Sequence, residues 1–274
     1  MSDDVRTVRA GRRTVGVHRS GKVLFPGGGG ATEYTGDLVD YYRSVAPFML
    51  PHLRGRPLML ERYPDGLDGP RFMQKNTPDH YPDWITRAEV AKEDGTVTHV
   101  TCDDTATLVF LADQACLTLH RWLSRTDRGH GADHPDRMVI DLDPPGGTAA
   151  GFAAAREAAR LLHGLLDDLR LPSAPMTTGS RGLHVVVPLS GRHDVDEVRA
   201  FARDIAELLA AEHPDRLTTA ARKQDRGDRL YPDVQRNAYA QTAVAQARTD
   251  PWAGLPGRGR ALGLARRRLD ALRG

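Results

Sequence analysis

The sequence predicts an α/β fold, a mixed sheet with helices packed on it. Three observations carry this. The second half alternates short apolar runs with amphipathic helical stretches; a helix-patterned segment separates strands that carry acidic residues; and 274 residues at 40% hydrophobic content suffice to bury a substantial core. The length permits one large or two modest domains.

Taken in order, residues 13–18 alternate as a strand does, and the glycine run at 27–30 reads as a loop. No Gly-Lys-Ser/Thr element follows those glycines, so a phosphate-cradling role for them is weak. Across 37–52, Leu38, Tyr41, Tyr42, Val45 and Met49 recur at three- and four-residue steps and predict an amphipathic helix. Strands are expected at 57–62 and 96–102, then an apolar helix at 105–115. Beyond it come a strand at 138–142, an Ala/Leu-rich helix at 149–169, and strands at 174–178 and 183–189. A helix at 194–212 starts on a good N-cap, and strands at 229–234 and 239–245 are expected to be joined by a tight turn. After residue 245 the texture turns to Gly, Arg, Leu and Ala; Leu262, Leu264, Leu269 and Leu272 suit a short helix, in a tail expected to be poorly ordered.

The formal charge of +2 conceals a basic C-terminal end, where Arg258, Arg260 and Arg266-Arg267-Arg268 cluster. Such an end suits phosphate, or is simply a solvated charged terminus. Two cysteines, Cys102 and Cys116, are too few for a disulfide scaffold or a cysteine zinc site and read as core residues. No apolar run approaches the roughly 20 residues of a membrane span, and the polar start lacks a secretory signal, so a cytoplasmic location is expected.

The run Arg137-Met138-Val139-Ile140-Asp141-Leu142-Asp143-Pro144-Pro145 reads as a buried strand ending in two carboxylates. Residues two apart in a strand share a face, so Asp141 and Asp143 point at one spot. Converging carboxylates repel unless a cation lies between them, which suits a hard divalent metal; the equal alternative is turn chemistry, with Asp capping backbone amides before Pro-Pro-Gly. Residues 177–184 hold Thr178, Gly179, Arg181, Gly182 and His184 in a small-residue turn suited to a triphosphate, or a plain turn with a satisfied core histidine. In residues 226–237, Asp233 lies in a strand flanked by cations and needs a partner, either Arg229 or Arg236, or a metal. Together these are the parts of two-metal nucleotidyl transfer.

The ordered motifs Lys22-Val23-Leu24-Phe25-Pro26, Asp-Leu-Val-Asp-Tyr-Tyr at 37–42, His52-Leu53-Arg54-Gly55-Arg56-Pro57, Phe72-Met73-Gln74-Lys75, Asp141-Leu142-Asp143-Pro144, Gly179-Ser180-Arg181-Gly182-Leu183-His184 and Tyr231-Pro232-Asp233 resemble the polymerase domain of bacterial ligase D, in the archaeo-eukaryotic primase superfamily. The resemblance spans 12–245, leaving 246–274 as a diverged basic tail. It implies an α+β primase-type core with a mixed, largely antiparallel, RNA-recognition-like sheet and an N-terminal α/β portion packed on it. It further implies nucleotide addition to primers and gaps at DNA ends in non-homologous end joining, beside Ku and an ATP-dependent ligase. By the same resemblance Asp141, Asp143 and Asp233 hold Mn²⁺ or Mg²⁺, and His120 and His184 are active-site histidines. Thr178, Gly179 and Arg181 hold the triphosphate, Phe72 contacts the nucleobase and Met73 the DNA, Lys223 and Arg226 line the substrate groove, and Lys22 binds a 5′-phosphate.

Two departures stand out. Thr35 occupies the place of a second phosphate lysine, and Asp250 falls in register with a triphosphate arginine that Arg248 replaces only by a local shift. The second, the missing arginine segment, motivates the alternative of a weakly active or inactive DNA-end-binding relative. A metal nuclease also needs clustered carboxylates, but the phosphate-binding turn favours nucleotide addition.

Overall fold

Val8 and Ala10 on β1 (Arg6–Ala10) share a buried face with Val15 and Val17 on β2 (Arg13–Val17), and the hairpin turns through Gly11 at φ 62°. The structure, a computed structural model, describes residues 5–27, 32–127, 129, 131–146, 148–178, 182–244 and 262–273. They form two units, each with its own apolar core. Among the described residues no helix is long and apolar enough to cross a membrane.

The first unit runs to Trp122 and takes in Thr126, Asp127, Ala243 and Val244. After β3 (Val23–Phe25) and β4 (Glu33–Tyr34), the expected helix forms as α1 (Thr35–Leu53), where the Asp37 carboxylate accepts the Tyr34 amide at 2.7 Å. Then come β5 (Leu58–Arg62), β6 (Phe72–Gln74), the hairpin β7 (Arg87–Lys92) and β8 (Gly95–Val100), α2 (Thr105–Asp113) and β9 (Cys116–Trp122). Asp104 caps α2 by accepting the Thr107 amide at 2.8 Å. Strands β9, β5 and β6 lie side by side, with a strand at Thr242–Val244 on the outer edge of β9. Opposite the step from Glu61 to Arg62, β9 carries one extra residue, Leu117, and the Tyr42 hydroxyl lies 2.9 Å from that bulge's carbonyl.

In the second unit, β10 (Arg137–Asp143) is central, with β12 (Leu183–Pro188) on one side and β13 (Tyr231–Asp233) on the other; β11 (Ala174–Thr177) forms the edge beyond β12. All these pairings are antiparallel; outside the named strands, an isolated parallel bridge joins Leu217 and Leu230. Met138, Ile140 and Leu142 alternate onto one face with Leu183, Val185 and Val187. Helices α3 (Ala149–Asp168) and α4 (Val195–Glu212) bury their apolar stripes in the same core; each fully buried Leu or Phe stabilises by about 1.5–3 kcal/mol. Asp194 and Glu197 close a capping box at the start of α4.

Two expectations change. The strands expected at 229–234 and 239–245 do not form a hairpin. A 3₁₀ turn at Gln235–Asn237 intervenes, so Tyr231–Asp233 pairs with β10 while Thr242–Val244 (β14) joins β9. The C-terminal end also carries an ordered helix, α5 (Leu262–Arg273), because Leu269 is wholly buried in the second core and Arg266 pairs with Asp204 at 3.0 Å.

Candidate active site

The sheet of the second unit sets three carboxylates on the face opposite its helices. Asp141 and Asp143 alternate with the buried Ile140 and Leu142, and the register places Asp141 directly opposite Asp233. On the other side of β10, Asp141 stands opposite His184. One row across the sheet therefore reads Met176, His184, Asp141, Asp233. Asn237 fixes this register. Beyond the end of β13 its buried side chain pairs with the Val139 backbone, accepting the amide at 2.8 Å and donating to the carbonyl at 2.6 Å, as a further strand residue would.

Each carboxylate has protein partners. Asp141 Oδ2 lies 3.4 Å from His184 Nε2 and 3.5 Å from Arg236 Nε. Burial pushes the Asp141 carboxyl up, but the His184 hydrogen bond and the charges of His184 and Arg236 outweigh it and hold the group below its ordinary value. Asp143 accepts from Arg226 Nη1 at 3.2 Å, and Asp233 accepts the Gln235 amide at 2.8 Å. Arg236 thus serves Asp141 rather than Asp233, and Arg229 donates to the carbonyls of Arg226 and Asp225.

As the side chains stand, no three His, Cys, Asp or Glu among the described residues converge tightly enough to hold a metal. The donor chemistry nevertheless fits a hard divalent ion. Two carboxylates are directly opposed, a third lies two residues along on the same face, and all offer oxygen. Asp143 and Asp233 each engage one oxygen, with Arg226 and with the Gln235 amide, so the second oxygen of each remains to ligate an ion.

Around this row, Gly182 approaches the β10 backbone so closely that a Cβ would lie 2.6 Å from the Leu142 carbonyl oxygen. The glycine expected to admit a phosphate is therefore required by strand packing. Thr178 spans the turn by donating to the Gly182 carbonyl at 3.2 Å; Gly179 and Arg181 lie outside the described residues, as do Arg248 and Asp250. Arg226 is turned inward, donating to the carbonyls of Ala220 and Ala221 as well as to Asp143 and stacking 4.1 Å above the Tyr231 ring. Lys223 is exposed on the turn Lys223–Asp225.

The remaining candidates belong to the first unit. His120 on β9 lies 3.2 Å from Glu61 Oε2, and Oε1 of the same carboxylate accepts from Tyr63 at 2.9 Å and Arg71 at 3.0 Å. Burial pushes Glu61 up, yet the hydrogen bonds from His120, Tyr63 and Thr118 hold it below its ordinary value. Glu61 escaped the sequence reading. Its signal was a carboxylate directly following the apolar run Leu58-Met59-Leu60 in one strand, where it orients the imidazole. Across the β5–β6 pair Met73 is opposite Glu61, whereas Phe72 is opposite Arg62, so the two candidates point to opposite faces and Met73 shares that of Glu61. Both are exposed.

Lys22 donates to the Pro64 carbonyl and, at 3.1 Å, to Asp65. It lines a cavity of about 300 Å³ with His18, Arg19, Thr35 and Arg62. Thr35, buried, donates its amide to the Lys22 carbonyl at 2.9 Å, and Arg19 and Arg62 supply the cavity with further cations. Cys102 and Cys116 are buried core thiols; burial pushes Cys116 up to about 12, which keeps it protonated.

Residues 35–250 match the family model for the LigD primase-polymerase domain. The multifunctional non-homologous end joining DNA repair protein LigD of Mycobacterium tuberculosis is 33% identical over 256 residues, covering 90% of this chain and 33% of that protein. The bifunctional non-homologous end joining protein LigD of Bacillus subtilis is 32% identical over 209 residues, covering 76% of this chain and 33% of that one. The chain thus spans about a third of the length of these curated relatives. Among solved structures, the polymerase domain of Mycobacterium tuberculosis ligase D in complex with DNA matches with a TM-score of 0.77 and 31% identity, over 94% of each chain.

Proposed function

The chain belongs to the LigD primase-polymerase domain family, and from that premise we propose that it is a metal-dependent nucleotidyltransferase that extends primers and fills gaps at DNA ends during non-homologous end joining. The observation that carries this reading is the register that sets Asp233 opposite Asp141, with Asp143 on the same face. In the proposed reaction the primer 3′-hydroxyl gives its proton to solvent water and attacks the α-phosphorus of a nucleoside triphosphate; a new P–O bond forms as the bond to the pyrophosphate leaving group breaks.

Asp141, Asp143 and Asp233 would hold Mn²⁺ or Mg²⁺, which when bound lowers the hydroxyl pKa and neutralises charge on the transferred phosphoryl group. His184 keeps the Asp141 carboxylate ionised and oriented. Asn237 and Gly182 hold β10 against its neighbours, so the acidic row cannot slip by a residue and turn its side chains to the other face. Glu61 anchors the His120 ring by accepting from Nε2, which leaves Nδ1 to accept from a hydroxyl or a base amino group.

Lys22 and its neighbouring cations suit a DNA 5′-phosphate. Nucleoside triphosphates and DNA ends are the proposed substrates, and Ku and an ATP-dependent ligase the proposed partners. A weakly active end-binding relative is the competing reading, favoured by Arg226 being committed to Asp143.

The test is extension of a gapped duplex by the purified chain with Mn²⁺ or Mg²⁺, with and without a 5′-phosphate at the gap. Metal-dependent extension, stimulated by the phosphate and lost in D141A, is expected. DNA binding without extension would establish the competing reading, and phosphate-independent extension would remove Lys22 from end recognition.

A further inference from the structure

On the opposite face of the second unit's sheet from the carboxylates lies a cavity of about 490 Å³, between the N-terminal half of α3 and the edge strand β11. Its floor is aliphatic, formed by Ala159, Pro175, Leu183 and Val185. The side is fixed by the register, because Pro175 and Thr177 stand opposite Val185 and Leu183, which belong to the helix-covered core, while His184 alternates away with Asp141. The volume falls within the range of pockets that hold small molecules or one or two large side chains.

The rim is basic. Arg156 and Arg160 lie one turn apart on α3, both exposed, and neither makes a hydrogen bond or ion pair with a described residue. The neighbouring acid, Glu157, is committed to Arg216, and His163 on the same rim is bonded to Ser173 at 2.9 Å and lies 3.5 Å from Asp167. An apolar floor under two uncommitted guanidiniums calls for a ligand that is apolar at one end and anionic at the other.

We propose that this groove docks an acidic peptide segment of a partner protein, with a large apolar side chain seated on the Ala159/Pro175/Leu183/Val185 floor and carboxylates paired to Arg156 and Arg160. The aliphatic floor argues against single-stranded nucleic acid, which is gripped by stacked aromatic platforms; the lining holds two rings, Phe152 and the imidazole of His163, and the second is bonded to Ser173. Strand addition to the edge is also disfavoured, since Pro175 removes a backbone donor from β11, so side chains must hold the occupant.

The test selects random dodecapeptides displayed on phage against the intact chain, then measures fluorescence anisotropy of the labelled enriched peptides against wild type, R156E/R160E and the control R203E. Thermal melts confirm that the variants remain folded. The expected result is a consensus with at least one pair of acidic residues and one Leu, Phe or Trp. Its affinity should fall at least about tenfold in R156E/R160E, hold in R203E, and weaken with salt. Failure to enrich such a consensus, or equal affinity for R156E/R160E, overturns the proposal. A labelled oligothymidylate is titrated in parallel; if its binding falls in R156E/R160E while peptide binding does not, the groove is a nucleic-acid site and the proposal is likewise overturned.

Discussion

Asp141 on β10 stands directly opposite Asp233 on β13, and each carboxylate is satisfied by a different group, His184 and Arg236 for the first and the Gln235 amide for the second. Like charges in directly opposed positions destabilise a sheet. A chain that keeps this arrangement in the middle of a well-packed sheet, with Asn237 pinning its register, retains a liability that a bound cation would convert into a site.

The pH dependence of stability follows from the depressed carboxyls of Asp141 and Glu61. A group that binds its proton more weakly when folded stabilises fully above its ordinary value, and the contribution is lost as pH falls through the depressed folded value. Urea unfolding followed from neutrality to about pH 2.5 should therefore show stability declining below the ordinary carboxylate range of about pH 4. The double variant D141N/E61Q should give a flatter profile, and a profile as steep as wild type would place the acid-sensitive groups elsewhere.

Asn237→Ala leaves the buried Val139 amide and carbonyl without partners at the edge of β10. With about 1–3 kcal/mol for each unsatisfied buried group, urea denaturation should show a loss of about 2–4 kcal/mol. N237D should also be destabilised, since a carboxylate accepts the amide but gives the carbonyl nothing. A loss under about 0.5 kcal/mol, the size of an ordinary surface substitution, would mean that Asn237 does not hold the register.

Gly182 and Gly164 make a matched pair. A Cβ at 182 meets the Leu142 carbonyl oxygen at 2.6 Å, whereas one at 164, on the exposed side of α3, meets nothing within 4 Å. G182A should cost about 1–3 kcal/mol, as overpacking against backbone does, and G164A should stabilise by up to about 1 kcal/mol through helix propensity. Thermal melts of the two variants distinguish the environments, and a neutral G182A would show that β12 shifts away from β10 without strain.

Much of the site was legible because strand periodicity is local. Ile140 to Asp143 alternates apolar with acidic, so the shared face of Asp141 and Asp143 followed from spacing alone, and the N-cap at Asp194 announced α4. Pairing partners are not local. The meeting of Asp233 with Asp141 rests on register, and the 3₁₀ turn at Gln235–Asn237 sends the next strand to another sheet instead of back as a hairpin. Strand β9 went unread because the Leu117 bulge interrupts its alternation, and β6 because three residues carry no period. α5 was expected to be poorly ordered because its stabilising contact, Leu269 in the core that holds α4, is more than 50 residues away in sequence from that helix.

In the proposed mechanism Asp141 and Asp233 hold the same ion. Free Mn²⁺ measured by electron paramagnetic resonance during titration of wild type, D141N and D233N tests it without requiring turnover. Wild type should bind Mn²⁺, and each substitution should weaken that binding at least about tenfold, or ~1.4 kcal/mol. Mn²⁺ binding by D233N equal to wild type would contradict the claim, because the two carboxylates would then not act on the same ion.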